Sequence, residues 1–370
     1  MKVVVAMDSF KGCLDSLAAG QAVARGVSRA LDGACVPVLA VSDGGDGMLD
    51  AFMRATGATG VEAASVDPLM RPLTARYAIT PDGDTAIIEM ARASGLTLLS
   101  RDERDPLRAT SYGTGLLIAD ALRRGCRHLI VGLGGSATSD AGMGMLRALG
   151  VEIGEEGIDT SHFLLNSYPD ATITIAGDVD NPLCGPRGAA SVYGPQKGAT
   201  PEMVQELDRR ATHFAALTAR HTGRDMSTVP GAGAAGGLGF ALMAYCRATM
   251  RSGIELILDL LHFDDLMADA QLVITGEGAA DRQTLMGKAP TGIMRRAKAY
   301  GVPTALLAGR VNDRDALLQA GFSAAHCIHD VVDDTSEDPL SPSVATRHLA
   351  ATARALVECH RPNILPTTQY

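Results

Sequence analysis

The chain has 370 residues, of which 46% are hydrophobic and 20% charged, the composition of an ordinary soluble globular protein. Because this length exceeds what a single core usually supports, two domains are expected. The formal net charge is −9 and the sequence has no basic run, which argues against nucleic acid as a partner. No apolar run approaches the roughly 20 residues that cross a bilayer, which argues against membrane association.

The cysteines and the N-terminus indicate where the protein works. The seven cysteines are odd in number, scattered, and without a Cys-x-x-Cys pair. This usage favours a reducing compartment over a disulfide framework or structural zinc. The segment Met1–Asp8 is interrupted by charge too early for a signal peptide and is typical of a first β-strand. We therefore expect a cytoplasmic protein.

Strand-like and helix-like segments alternate near both ends of the chain. The predicted strands cover about 3–6, 36–41, 272–275, 303–308 and 324–328. The predicted helices cover about 16–31, 288–300, 313–320 and 343–359. This alternation predicts an α/β fold with a five-stranded, doubly wound parallel sheet.

The middle of the chain has a different pattern. An antiparallel ribbon is predicted over 61–88, with a turn at 80–84. Further strands are predicted at 128–131 and 173–176, and further helices over 111–124 and 201–221. We expect a mixed α/β domain over 61–259, inserted into a discontinuous domain of 1–60 and 260–370, with the active site in the cleft between them. The acidic stretch 330–342 is predicted to be a loop.

Two polar loops follow the first two predicted strands. In Asp8–Gly12, a lysine on a glycine turn that enters a helix suits a phosphate or carboxylate, although an exposed Lys11 at a helix start is equally expected. In Ser42–Gly47, the two carboxylates suit Mg²⁺ or a substrate hydroxyl. The alternative for Asp43 is a simple helix cap.

A glycine-rich and hydroxyl-rich loop, Gly132–Asp140, follows the strand at 128–131. Gly132-x-Gly134-x-x-Ala137, with Glu152 further on, fits a loose dinucleotide fingerprint. The hydroxyls of Ser136, Thr138 and Ser139 suit phosphate oxygens better than they suit a tight pyrophosphate turn. We therefore prefer a phosphate-holding loop.

Two further segments carry candidate ligands. Asp178, Asp180 and Asn181 place hard oxygens close together, and Arg187 and Lys197 offer anion contacts, although such a pattern is more often a plain turn. Segment 230–242 has five glycines in nine residues, which indicates either a linker or a nucleotide-binding loop at a helix start. The P-loop motif Gly-x-x-x-x-Gly-Lys-Ser/Thr does not occur.

The segment 275–290 combines glycines with fixed charges of both signs directly after the apolar run 271–274. Glu277, Asp281 and Lys288 lie within twelve residues of one another. A plain turn needs glycine or Asn/Asp but no such charges, so the segment predicts a site.

Taken in order, these motifs resemble the type I family of bacterial glycerate kinases. The matching segments are Asp8–Gly12, Asp43–Gly47, Gly134–Asp140, Asp178–Leu183, Gly194–Gly198, Pro230–Gly237, Ser252–Glu255 and Thr275–Gly278. The resemblance runs from Met1 to about Arg310. It implies ATP-dependent phosphorylation of D-glycerate, with 2-phosphoglycerate as product and 3-phosphoglycerate as the alternative. It also implies a flavodoxin-like domain interrupted by a mixed α/β domain.

The resulting hypothesis assigns a role to each candidate residue. Asp8, Lys11 and Asp178 are catalytic, with Asp8 or Asp178 orienting the attacking hydroxyl. The predicted phosphate or nucleotide contacts are Gly134, Gly135, Ser136, Thr138, Lys197, Gly233, Gly236, Gly237 and Lys288. The predicted substrate contacts are Ser9, Asp43, Arg187, Glu277 and Asp281. Mg²⁺ is expected on Asp178 and Asp180, with Asp43 and Glu277 as further candidates. The expected partners are D-glycerate and ATP, and a homodimer is allowed.

The sequence departs from the family at Ala279-Ala280, in a shorter segment after Gly150 and in an acidic, atypical part beyond Cys327, and it leaves two rival functions open. The family usually has Arg-Leu after Thr-Gly-Glu-Gly, whereas this chain has Ala279-Ala280. One rival is a catalytically weakened, ligand-binding relative, for which this pair is the support. The other is an NAD(P)-dependent dehydrogenase of a small hydroxy acid, which only the segment 132–137 favours.

Overall fold

The computed structural model describes residues 1–10, 12–41, 48–155, 157–331 and 338–364. The chain divides into two compact units: the first is Met1–Asp43 with Ile254–Tyr370, and the second is Gly44–Gly253. These boundaries precede the expected ones, at 60/61 and 259/260. The helix Met48–Thr56 belongs to the second unit, where the backbone N–H of Leu49 donates to the carboxylate of Glu89 at 2.9 Å.

The described elements alternate along the chain as follows. The strands are β1 (Val3–Met7), β2 (Val38–Ala40), β3 (Thr59–Val66), β4 (Pro72–Ile79), β5 (Thr85–Glu89), β6 (His128–Gly132), β7 (Glu152–Ile153), β8 (Ile158–Asp159), β9 (Thr172–Ala176), β10 (Thr249–Arg251), β11 (Leu272–Ala280), β12 (Thr304–Val311) and β13 (Ala324–Cys327). The α-helices are α1 (Ser16–Ala30), α2 (Met48–Thr56), α3 (Ala91–Ser94), α4 (Tyr112–Arg123), α5 (Met143–Ala148), α6 (Ala189–Tyr193), α7 (Pro201–Thr222), α8 (Ala234–Cys246), α9 (Gly253–Leu260), α10 (Phe263–Met267), α11 (Ala289–Ala299), α12 (Arg314–Ala320) and α13 (Pro342–Ile364).

The first unit is built on a parallel sheet with the strand order β13-β12-β11-β1-β2. Numbered within this unit, the order is 2-1-3-4-5, the flavodoxin-like order of a doubly wound fold. Every residue of β1 is buried, as expected when helices cover both faces of a parallel sheet. The predicted fold class is therefore confirmed. The strand order reverses between β1 and β11, which makes their carboxyl ends the topological switch point.

Helices α1 and α13 pack together on one face of this sheet. Asp15 begins α1 by accepting a hydrogen bond from the backbone N–H of Ala18 at 2.8 Å. A Cβ at Gly26 would lie 2.2 Å from the carbonyl oxygen of Ala350, so only glycine lets the two helices approach this closely. A second apolar cluster, which includes Met294 and Leu317, joins α11 and α12 to the sheet.

The second unit contains a mixed six-stranded sheet with the order β10-β9-β6-β5-β4-β3. Strands β3 and β4 pair antiparallel, as the predicted ribbon requires, and β4 pairs antiparallel with β5. The pairs β5–β6, β6–β9 and β9–β10 are parallel. Tyr77, Phe214 and Phe240 are among the largest fully or almost fully buried side chains of its core. Strands β7 and β8 form a separate two-stranded ribbon.

The predicted elements differ from the observed ones mainly at their ends. Strand β11 was expected to end at residue 275 but continues to Ala280, because Glu277 and Ala279 still pair with β12. Helices α3, α5, α6, α9 and α10 and strands β7, β8 and β10 were not predicted. Of the expected acidic loop, residues 332–337 lie outside the described residues, and α13 begins at Pro342. Among the helices described, none combines the length and apolar character that a membrane crossing requires.

Candidate active site

A cavity of about 590 Å³ lies in the first unit. Its lining includes Asp8 and Ser9, which follow β1, and Glu277 of β11. Lys288, before α11, and Arg310, near the end of β12, complete its charged wall. Ligands of open α/β sheets bind outside the carboxyl ends of the strands at the switch point. The cavity is at that position.

The backbone around Asp8 continues the sheet into the cavity. The N–H of Asp8 donates to the carbonyl oxygen of Gly276 at 2.9 Å, which prolongs the pairing of β1 with β11. The Asp8 carboxylate accepts a hydrogen bond from the N–H of Ser9 at 2.6 Å. Both side chains are half-buried. The structure thus brings the predicted residues Asp8, Ser9, Glu277 and Lys288 to one cavity.

Glu277 is only 6% exposed, and both of its carboxylate oxygens are engaged within the protein. Oε1 accepts from the hydroxyl of the fully buried Thr284 at 2.6 Å, and Oε2 accepts from Nζ of Lys288 at 2.9 Å. A carboxylate held in this way fixes the position of Lys288. It has less capacity left for a substrate or a metal ion.

Asp281 lies in the turn between β11 and α11 and is not part of the cavity lining. Its N–H donates to the hydroxyl of Thr284 at 3.0 Å, and its carboxylate accepts from the N–H of Gln283 at 2.7 Å. The hydroxyl of Thr291 donates to the carbonyl oxygen of Thr284 at 2.6 Å. These bonds fix the turn that delivers Lys288 to the cavity, so the contacts of Asp281 are structural.

In the second unit, the loop after β6 divides into an exposed and a buried part. Gly134 and Gly135 are exposed, whereas Ser136 and Thr138 are buried. The hydroxyl of Thr138 donates to the carbonyl oxygen of Ala235 at 3.4 Å. The hydroxyls of Ser136 and Thr138, which were predicted to hold phosphate, therefore serve internal contacts, and Gly134 and Gly135 are the exposed part of the loop. Phosphate binding by this loop stays a prediction.

Lys197 ties this loop to the turn that precedes α7. Its side chain is 2% exposed, and Nζ donates to the hydroxyl of Ser136 at 2.8 Å and to the carbonyl oxygen of Thr138 at 2.6 Å. Burial lowers the pKa of Lys197 from 10.5 to about 7, and the nearby Asp140 carboxylate opposes that shift. The ammonium group is thus part of the loop's internal structure, and its predicted contact with a phosphate stays a prediction.

The predicted glycines at the start of α8 are buried against the backbone of the same unit. Gly236 has φ +68°, and a Cβ there would lie 1.9 Å from the carbonyl oxygen of Thr138. A Cβ at Gly233 would lie 2.3 Å from the carbonyl oxygen of Pro182, and one at Gly237 would lie 2.6 Å from Cα of Ala141. These glycines allow a close approach of the backbone. Whether their amides also contact a nucleotide stays a prediction.

The predicted metal and anion residues after β9 lie at the surface. Asp178 and Asp180 are exposed, and Arg187 forms an ion pair with Asp180 at 3.3 Å. Within the described ranges, no group of three or more His, Cys, Asp or Glu side chains could hold a metal ion by itself. Two of the predicted site residues, Lys11 and Asp43, lie outside the described residues.

Comparison with known proteins identifies the family. The model of the glycerate kinase family matches residues 3–361. The chain belongs to the glycerate kinase family. It is 43% identical over 345 residues to a glycerate kinase of Bacillus subtilis (strain 168), covering 89% of this chain and 90% of that protein. It is 42% identical over 329 residues to the glycerate 2-kinase of Escherichia coli (strain K12), covering 85% and 86%.

A solved structure extends this similarity to three dimensions. The crystal structure of a protein from Salmonella typhimurium LT2, described as a glycerate kinase 2, superposes with a TM-score of 0.85 at 39% identity. The match covers 98% of this chain and 99% of that one. As a member of the glycerate kinase family, the chain is a phosphotransferase enzyme.

The comparisons give no support to the dehydrogenase interpretation, and the local structure explains why the fingerprint misled. A dinucleotide fingerprint runs directly from a strand into a helix. Here the segment after β6 instead runs back over its own unit, where the N–H of Ala137 donates to the carbonyl oxygen of Ser94 at 2.9 Å. The next helix, α5, begins only at Met143 and has six residues.

Two residues that matter to the cavity of this glycerate kinase family member were not predicted from the sequence. The hydroxyl of Thr284 donates a hydrogen bond to Glu277. No sequence pattern distinguishes this threonine from any other buried threonine. Arg310 lines the cavity from β12, directly opposite Ala279 in the β11–β12 register. A charged residue at the end of an apolar strand, after Gly309, was a usable signal for Arg310.

Proposed function

We propose that this enzyme transfers the γ-phosphoryl group of ATP to the 2-hydroxyl of D-glycerate, giving ADP and 2-phosphoglycerate. The observation that carries the proposal is the cavity at the switch point, which combines the carboxylate of Asp8 with the cations Lys288 and Arg310. Phosphoryl transfer needs a group that orients the attacking hydroxyl and cations that neutralise the phosphates. The 42% identity to a glycerate 2-kinase supports the choice of hydroxyl.

In this proposal Asp8 orients the hydroxyl and takes its proton. As the hydroxyl oxygen bonds to the γ-phosphorus, the bond from phosphorus to the bridging oxygen of ADP breaks. We choose Asp8 over Asp178 because Asp8 lines the cavity and the β1–β11 backbone fixes it there. Lys288, anchored by Glu277 at 2.9 Å, offers a positioned positive charge. Lys11 is assigned to the phosphates because its loop follows β1.

The nucleotide and Mg²⁺ are assigned to residues of the second unit. Mg²⁺ is usually bound through one or two carboxylates together with substrate phosphates, and it keeps several waters. The carboxylates of Asp178 and Asp180 are exposed and of that donor type, whereas Glu277 is buried and holds Thr284 and Lys288 with its two oxygens. When bound, the ion neutralises charge on the phosphates. Gly134 and Gly135, which are exposed, are the proposed phosphate contacts of the loop after β6.

The test is ADP formation with MgATP and D-glycerate, compared with L-glycerate and glycerol as acceptors. The proposal expects turnover with D-glycerate, and a fall of at least about 100-fold in kcat for Asp8→Asn, since a positioned general base contributes at least that much. Asp315→Asn, an exposed carboxylate of α12 outside the cavity lining, is the matched control and should keep the wild-type rate. No ADP with D-glycerate, or an Asp8→Asn variant at the wild-type rate, would refute the proposal.

A further inference from the structure

Among the described residues that line the cavity of the first unit, Lys288 and Arg310 are cationic side chains in very different situations. Lys288 is paired with Glu277 at 2.9 Å, and Glu277 is buried, so much of that positive charge is already neutralised. Arg310 is exposed in the same cavity. Across the part of the chain that the structure describes, the Arg310 side chain makes no ion pair and no hydrogen bond. Arg310 is therefore the cation with the most capacity for an incoming anion.

The backbone places Arg310 beside Ala279 in the cavity lining. Residues 279 and 310 are direct partners in the parallel β11–β12 pair, so their side chains lie on the same side of the sheet. The residue before each of them is a glycine, Gly278 or Gly309, and both glycines line the cavity. Since glycines bring no side chains and Ala279 brings a single methyl group, the space beside the guanidinium stays open.

We propose that Arg310 binds an oxyanion of the substrates in this cavity: the carboxylate of glycerate or, by the same chemistry, a phosphate of the nucleotide. This inference rests on the proposed function and adds the residue that recognises the negative charge. A guanidinium presents a planar fork of donors that matches two oxygens of a carboxylate or phosphate at once. In a chain of net charge −9, such a site needs a local positive charge that is not already paired.

The same placement accounts for the departure at Ala279. Neighbouring strands lie about 4.8 Å apart, a distance that an arginine side chain spans easily. The guanidinium of Arg310 therefore reaches the same space that the guanidinium of an arginine at position 279 would reach. The missing arginine of β11 is replaced by one on β12.

The experiment is a set of steady-state measurements on the full chain, in which the concentrations of D-glycerate and ATP are varied separately. For Arg310→Ala, the Michaelis constant of one substrate is expected to rise roughly 10- to 100-fold, the effect of losing hydrogen bonds to a charged group. A rise for glycerate identifies the carboxylate as the anion, and a rise for ATP identifies a phosphate. Arg310→Lys should recover only part of the loss, because lysine lacks the fork. Arg354→Ala, an exposed arginine of α13 paired with Glu358, is the matched control and should leave both constants unchanged.

The double variant Ala279→Arg/Arg310→Ala separates the position of the charge from any structural effect of Arg310. If the guanidinium acts by its charge in this space, the Michaelis constant raised in Arg310→Ala should be at least tenfold lower in the double variant. Both Michaelis constants within threefold of wild type for Arg310→Ala would overturn the inference, as would no recovery in a double variant with the wild-type circular dichroism spectrum. If the wild type forms no ADP from D-glycerate, the proposed function fails instead. Calorimetric titration of D-glycerate and ATP into the same variants then decides the role of Arg310, with unchanged affinities for both ligands counting against it.

Discussion

Lys197 makes a stability prediction that depends on pH. Lys197 is 2% exposed, and its Nζ donates to the hydroxyl of Ser136 and the carbonyl oxygen of Thr138. Replacing it with methionine keeps the buried volume but removes both hydrogen bonds. A buried polar group that loses its partner costs about 1–3 kcal/mol. Lys197→Met should therefore lower the free energy of unfolding by roughly 3 kcal/mol at pH 9, where the wild-type lysine is mostly neutral when folded.

The size of this loss should change with pH in a known direction. The pKa of Lys197 is about 7 in the folded protein and has its ordinary value of 10.5 in the unfolded chain. Between these values the unfolded state binds more protons, so the contribution of Lys197 to stability is full above pH 10.5 and is lost as pH falls towards 7. The difference between wild type and Lys197→Met should shrink by up to about 1.4 kcal/mol per pH unit from pH 9 to pH 7.

The assay is urea unfolding followed by far-ultraviolet circular dichroism, since the chain has no tryptophan for fluorescence. Wild type and variant are compared at half-unit steps from pH 6.5 to 9, and the transition of the second unit is fitted separately if the two units unfold apart. Lys298→Met, an exposed lysine of α11, is the matched control and should show no such trend. A difference between wild type and Lys197→Met that stays constant over this range would refute the assignment of a buried lysine with a lowered pKa.

Three further predictions follow from the described contacts. Gly236→Ala should lower the free energy of unfolding by about 3–5 kcal/mol, because the new Cβ would meet the carbonyl oxygen of Thr138 at 1.9 Å. Gly223→Ala, at a position with a similar φ of +73° but open space, should lower it by only about 1–2 kcal/mol. Equal losses in urea titrations would contradict this prediction. Thr284→Val should lower kcat/KM about tenfold, because it releases Glu277 and with it Lys288. Thr284→Ser, which keeps the hydroxyl, should keep kcat/KM within threefold of the wild-type value. The same loss in both variants would show that the Thr284 hydroxyl does not hold Glu277 in place. Arg296→Lys should lower Tm by about 3 °C, because lysine cannot reproduce the two hydrogen bonds of 2.7 and 2.8 Å from the guanidinium to the Asp264 carboxylate. An unchanged melting curve would show that this paired contact adds no stability.

The sequence was most informative where the chemistry is local. Alternating apolar segments predicted the parallel sheet, and the polar segments that follow β1 and end β11 supplied the candidates Asp8, Ser9, Glu277 and Lys288, which the structure places in one cavity. This worked because the carboxyl ends of parallel strands meet at the same edge, so that strand order alone brings the loops together. The predicted end of β11 was wrong by five residues, because Gly276, Glu277 and Ala279 pair with β12 rather than turning.

The roles that could not be predicted depend on contacts between distant positions. Lys197 and Ser136 are 61 residues apart, and no spacing rule connects them. The glycines of α8 suggested a nucleotide loop, but the space at Gly236 is filled by the backbone of Thr138. The importance of Arg310 comes from its register with Ala279, which depends on how β11 and β12 align. In each case the tertiary contact, which a single sequence does not display, decides the role.

The most direct test of the proposed reaction is the proton-coupled phosphorus NMR spectrum of the product formed from MgATP and D-glycerate. The proposed 2-phosphoglycerate carries its phosphate on a carbon with one hydrogen, so its phosphorus resonance should be a doublet that grows with the ADP signals. A triplet would place the phosphate on the terminal carbon, which carries two hydrogens, and would contradict the proposed hydroxyl. A spectrum in which ATP stays unchanged under the same conditions would contradict the proposed reaction itself.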